Sequence, residues 1–159
     1  MNKTIKSFFA ASVGTMVLTL IHHAYGAFIY DEPFRLHVTL IAVPVILVLY
    51  LTFRFYQKHR ETKKGKILYR LFITMAIVFP IGVIGLYEGG YNHLVKNILY
   101  FGGISPELFA QLFPPPMYEM PNNFLFETTG IAQFVMGVSG LYFLLKMRIK
   151  NTAVPKVQV

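Results

Sequence analysis

The sequence contains no cysteine and no tryptophan, and charged residues make up only 14% of its 159 positions. Without cysteine, disulfide bonds, thiolate metal ligands, iron–sulfur clusters and cysteine nucleophiles are excluded. The ten tyrosines must therefore take the interfacial role that tryptophan shares with tyrosine in membrane proteins. The sequence also has no Gly-x-Ser-x-Gly elbow, P-loop or dinucleotide-binding fingerprint, so nothing in it indicates the enzyme classes that those motifs mark.

Hydrophobic residues, by contrast, account for 55% of the chain, too many for an ordinary soluble domain. Apolar stretches at about 7–30, 34–56, 67–87 and 124–145 each approach or exceed the roughly 20 residues that a helix needs to cross a membrane. We therefore predict an all-α integral membrane protein with a single domain, 1–150, built as a four-transmembrane-helix bundle. Residues 88–123 are expected to form an extended outer loop, or lid, with short interfacial helices, and 151–159 a flexible cytoplasmic tail.

The net charge of +8 comes from basic residues at the N-terminus, at the C-terminus and between the second and third stretches. Of the 15 basic residues, only Arg35 and Lys96 lie elsewhere. The positive-inside rule then predicts an inner-membrane protein with both termini in the cytoplasm. The same distribution favours the lipid bilayer, rather than nucleic acid, as the partner of the basic loop. The first stretch also has the layout of a signal peptide, and the sequence leaves its cleavage open.

Residues that can bind metals gather at the opposite, outer end of the predicted bundle. Of the seven acidic residues only Glu61 lies on the basic side, and of the five histidines only His59 does. Every predicted helix brings at least one ligand to the outer end, and the candidates are His22, His23, His37, Glu88, His93 and Glu127. Imidazole and carboxylate suit copper, iron and zinc, and histidines from different helices can ligate haem. We therefore predict a periplasmic-facing metal or haem site for redox chemistry or metal handling.

The adjacent histidines lie deep in the first helix, about 10 to 12 Å below its end near Tyr30. Neighbouring residues point about 100° apart on an α-helix, so His22 and His23 are expected to face different neighbours rather than one ion. Glu88 is expected at the end of the third helix and His93 just beyond it.

Other interpretations stay open at this stage. The histidines can serve as ordinary interhelical hydrogen-bond partners, with Glu127 paired to Lys96. A metal-free, proton-coupled pocket for a quinone or lipid-like ligand is a second alternative. A structural or assembly subunit of a larger membrane complex, or a homo-oligomer, is a third, since the fourth stretch offers small residues for packing: Gly130, Gly137, Ser139 and Gly140. Enzymatic activity is undecided.

Overall fold

A computed structural model describes residues 3–115 and 118–152, the last three by their backbone alone. Its regular elements are all helical. In chain order they are α1 (Lys3–Ile29), a 3₁₀ turn (Pro33–Leu36), α2 (His37–Lys58), α3 (Lys63–Ala76), a π-type helix (Ile77–Val95), α4 (Lys96–Phe101), α5 (Pro106–Leu112) and α6 (Phe124–Thr152).

Four helical segments are long and apolar enough to cross a membrane: Lys3–Ile29, Pro33–Lys58, Lys63–Phe101 and Phe124–Ile149. The prediction of an all-α protein with four such helices is therefore confirmed. Residues 116–117 of the expected lid and 153–159 of the expected tail lie outside the described residues.

The third of these segments extends to Phe101, well beyond the predicted end near residue 87. Gly85 and Gly89 lie inside the continuous helix, at places where its backbone packs closely against α6. A methyl group on Gly85 would come within 2.7 Å of the Cα of Gly137 in α6, and one on Gly89 would overlap the α6 backbone. Small residues at such contacts let helix backbones pack closely. The extension therefore carries Glu88 and His93 into the bundle.

The small residues of α6 are used within the chain. Gly137 meets Gly85, Gly130 lies against the ring of His93, and Gly140 faces the side chain of Ile81. Three of the four small residues that the sequence offered for packing thus pack on the chain's own third segment, while Ser139 donates to the backbone carbonyl of Val135 in its own helix.

An aromatic cluster fills the basic end of the bundle. Phe8 and Phe72 are fully buried and meet edge to face, with ring centroids 5.5 Å apart. Phe9 stacks on Phe53 at 4.3 Å. Such pairs contribute about 0.5–1.5 kcal/mol each beyond the area they bury. These rings form the core at this end, whereas the buried ionisable side chains of His22, His93, Lys96 and Glu127 lie toward the other end.

Candidate metal site

Glu88 lies among three imidazoles near the end of the bundle opposite the basic loop between α2 and α3. Its Oε1 is 4.0 Å from Nε2 of His22, 3.7 Å from Nε2 of His23 and 3.7 Å from Nε2 of His93. We call these four residues the histidine cluster. Ligand atoms of His22, His23 and Glu88 all lie within 4.8 Å of one another, so this group alone could hold a metal ion.

The structure overturns the expectation that His22 and His23 face different neighbours. Their ring centroids are 5.2 Å apart and the ring planes are nearly perpendicular. Although the two residues leave the helix in different directions, their side chains are long enough for both Nε2 atoms to turn toward Glu88. His22 is held further by stacking on Phe126, at 4.2 Å between centroids. One ion can therefore reach both histidines.

Glu88 and His93 share a face because of the π-type helix. In an α-helix, residues five apart point about 140° away from each other, at 100° per residue. The i→i+5 hydrogen bonding of a π-helix widens each turn and brings such residues closer together. Both residues lie within Ile77–Val95, and their side chains meet at 3.7 Å. Both were expected at or beyond the end of the third helix, and both lie inside it.

The proton on His22 can be assigned from its partner. Nδ1 of His22 lies 2.9 Å from Oγ1 of Thr129. The hydroxyl of Thr129 donates its own hydrogen to a backbone carbonyl of α6, that of Leu125 or Phe126, both 2.9 Å away. With that hydrogen given to a carbonyl, the hydroxyl accepts from His22, which places the ring proton on Nδ1. The lone pair of Nε2 is then left facing Glu88, and this buried atom has no hydrogen-bond partner among the described residues.

His93 is oriented by a buried charged network. Its Nδ1 lies 2.8 Å from Oε2 of Glu127. Glu127 also accepts from Lys96 at 2.9 Å and from Asn97 at 2.5 Å. A second hydrogen bond, from Lys96 to the backbone carbonyl of Glu119 at 2.9 Å, completes the network. A carboxylate that accepts from one nitrogen of an imidazole fixes its tautomer and leaves the other nitrogen free to ligate a metal.

This geometry gives Glu127 a supporting position rather than a place in the cluster. Its first-turn position on α6 favours the negative charge through the helix dipole. The helix start is fixed by Asn123, whose Oδ1 accepts from the backbone N–H of Phe126 at 2.9 Å. The ion pair between Glu127 and Lys96 that the sequence suggested is confirmed, with both side chains at least nine-tenths buried.

A hydrogen bond orients the side chain of Glu88, whereas no such bond orients the ring of His23. Asn92 donates to Oε2 of Glu88 at 2.8 Å, which turns Oε1 toward the imidazoles. Nδ1 of His23 is buried and has no hydrogen-bond partner among the described residues, so its tautomer is not fixed by a neighbour.

His37 lies apart from the cluster. Its exposed ring stacks on Phe34 at 5.1 Å, and its Nδ1 is 2.6 Å from the Phe34 carbonyl oxygen. It lines the rim of a cavity of about 360 Å³ that also reaches His23, Glu88 and His93. Of the six residues predicted from the sequence, the structure thus brings four into the cluster, sets Glu127 behind His93, and leaves His37 outside.

The supporting partners Thr129, Asn92 and Asn97 were missed by sequence reasoning. Each is a hydrogen-bonding residue close in sequence to a predicted ligand, which is the one signal that the sequence offered. The partners of these residues depend on how the helices align with one another, and only the folded structure shows that alignment.

The donor set matches known metal chemistry. Three imidazole nitrogens and one carboxylate oxygen can surround an ion tetrahedrally at about 2.0–2.2 Å each, which places the ligand atoms about 3.3–3.6 Å apart. The distances of 3.7–4.0 Å between Oε1 of Glu88 and the three Nε2 atoms are close to this spacing, and ligand atoms of His22, His23 and Glu88 lie within 4.8 Å of one another.

Comparison with known proteins adds no analogy: no protein-family model, curated protein or solved structure matches this chain.

Proposed function

We propose that this chain is an integral inner-membrane protein that binds one transition-metal ion in the histidine cluster. The observation that carries the proposal is the convergence of three imidazole Nε2 atoms on one carboxylate oxygen. Two of these imidazoles, His22 and His93, have Nδ1 held by fixed acceptors. Hydrogen bonds of that kind are the usual second shell of a metal-bound histidine.

The donor set favours an ion of intermediate softness. Imidazole with carboxylate suits zinc, iron and copper, and the absence of cysteine removes thiolate sites. A single ion is favoured over haem, because three imidazoles and a carboxylate gathered at one point form the donor set of an ion, whereas haem takes its axial ligands from one or two histidines. Copper, iron and zinc are therefore the proposed cofactors, with haem the less favoured one.

The proposed ion would be reactive rather than structural. Structural sites are closed by protein ligands, whereas catalytic sites keep a position open to a further ligand. His23, Glu88 and His93 line the cavity of about 360 Å³. An ion held by His22, His23 and Glu88, or one that takes a fifth ligand when His93 also binds, therefore has a position that faces free space. Redox chemistry or metal handling fits this arrangement. With the basic residues in the cytoplasm, both termini lie inside and the cluster faces the periplasm.

Metal content of purified single variants tests the proposal. Protein prepared in mild detergent without chelator is expected to carry one ion per chain, and His22→Ala, His93→Ala and Glu88→Gln to lose most of it. His37→Ala and His59→Ala serve as controls and are expected to keep it, since both lie outside the cluster. Equal metal content in all five variants and the wild type would contradict the proposal. A folded, metal-free wild type would favour the metal-free proton-coupled pocket instead.

A further inference from the structure

The cavity beside the histidine cluster has two chemically distinct ends. At its polar end lie His23, Glu88, Asn92 and His93. Its other end runs between α2 and the π-type helix, and the apolar residues there are Val38, Ile41, Ala42, Phe79, Val83 and Ile84. A cavity of about 360 Å³ lies within the range of known small-molecule sites. The site thus combines a polar end beside the proposed ion with an apolar channel.

The apolar end opens sideways from the bundle. Ile41 and Val83 line the cavity and are also 51% and 45% exposed, and Tyr87 above them is 53% exposed. All three lie within segments long enough to cross a membrane. α2 packs mainly against α1 and α3, so a gap remains between α2 and the π-type helix. An apolar molecule can therefore enter this gap directly from the lipid.

Charged groups at the polar end are already neutralised. Lys96 pairs with Glu127 at 2.9 Å. Arg35 pairs with Glu32 at 2.6 Å and with Glu119 at 3.2 Å. Both cations that line the cavity thus have carboxylate partners, so an anionic head group would have to break a buried or half-buried ion pair. Glu88, in turn, is surrounded by imidazoles rather than being available to an ammonium group.

We propose that this cavity takes a neutral amphiphile from the membrane: an apolar chain or ring system whose hydroxyl or carbonyl oxygen points toward the histidine cluster. The role of that oxygen as a ligand or reactant of the ion rests on the function proposed above. Occupation of the cavity rests on its shape and charge alone.

Photolabelling in phosphatidylcholine nanodiscs tests the inference. The probe is a long-chain primary alcohol that carries a diazirine in its chain. Saturable labelling is expected on peptides covering 34–42 and 79–87, and the unlabelled alcohol should compete with it. Ile41→Trp and Val83→Trp fill the channel and should reduce saturable labelling about tenfold, the effect of losing roughly 1.4 kcal/mol of binding.

Matched controls are available on the same helices. Leu40 and Leu86 are 78% and 44% exposed and do not line the cavity, so Leu40→Trp and Leu86→Trp should label like the wild type. Equal labelling in all four tryptophan variants would overturn the inference. If the alkyl phosphate of the same chain length competed as strongly as the alcohol, the assignment of a neutral head group would be overturned.

Metal analysis of the same samples separates the two proposals. Saturable labelling of a metal-free wild type would support the cavity inference and contradict the proposed metal function. A metal-loaded wild type without saturable labelling would contradict the cavity inference alone.

Discussion

Replacing Thr129 by valine tests whether the hydrogen bond to His22 prepares the cluster for metal. Valine keeps the shape of threonine and removes the acceptor that lies 2.9 Å from Nδ1 of His22. The ring then either keeps its Nδ1 proton without a partner or moves the proton to Nε2, where it blocks coordination. Loss of such a supporting partner typically lowers metal affinity about 10- to 100-fold, or about 1.4–2.8 kcal/mol.

Competition titration against a chelator of known affinity measures this effect, with Co²⁺ or Zn²⁺ as the metal. The next residue provides the control, because Thr128 is exposed and Thr128→Val makes the same chemical change away from the cluster. Thermal unfolding of the metal-free proteins should also show a loss for Thr129→Val, since a buried unpaired donor costs about 1–3 kcal/mol. Equal metal affinities for the two valine variants would refute the tautomer assignment.

Three further predictions follow from the structure. Gly130→Ala should lower the metal content, because its added methyl group would overlap the ring of His93 and displace it. Gly140→Ala should keep the metal content, because its methyl group would lie 3.4 Å from its nearest neighbour. Metal analysis of both variants checks this. A chelator should lower the melting temperature, because removing metal that was present at about 100 times its Kd takes away about 2.7 kcal/mol of stability. Acidification should also release the ion, because protons compete with it for the imidazoles. A melting curve that the chelator leaves unchanged would contradict this. Burial raises the pKa of Tyr30 to about 12. The stability that the neutral phenol of Tyr30 contributes should therefore be intact below the ordinary tyrosine pKa of about 10 and lost as the pH rises toward 12. An ultraviolet titration of the wild type against Tyr30→Phe measures the pKa, and ionisation of Tyr30 near pH 10 in the folded protein would contradict the prediction.

The four apolar helices were predictable from the sequence because length and hydropathy alone determine which segments can cross a membrane. The end of the third was not. Glycines near residue 88 usually indicate a helix end, but here they allow contact with α6, as Gly85 does with Gly137. That contact depends on a partner helix about 50 residues away in the chain, and no local pattern contains it.

The candidate site was predictable as a set of residue types but not as a geometry. Segregation of histidine and carboxylate to one end gave His22, His23, Glu88 and His93. An α-helical periodicity, however, separates Glu88 from His93, and only the π-type helix joins them. A segment of glycines and apolar residues can form either an α-helix or a π-type helix, and its sequence pattern does not show which one.

X-ray absorption spectroscopy of the metal-loaded protein tests the central claim most directly. Binding by the histidine cluster predicts only nitrogen and oxygen ligands at about 2.0–2.2 Å, with the outer-shell scattering of imidazole from His22, His23 and His93. Substitution of Glu88 by glutamine should change the first shell while the imidazole signal persists in whatever metal remains bound. A sulfur ligand near 2.3 Å, or a first shell without imidazole scattering, would contradict the account.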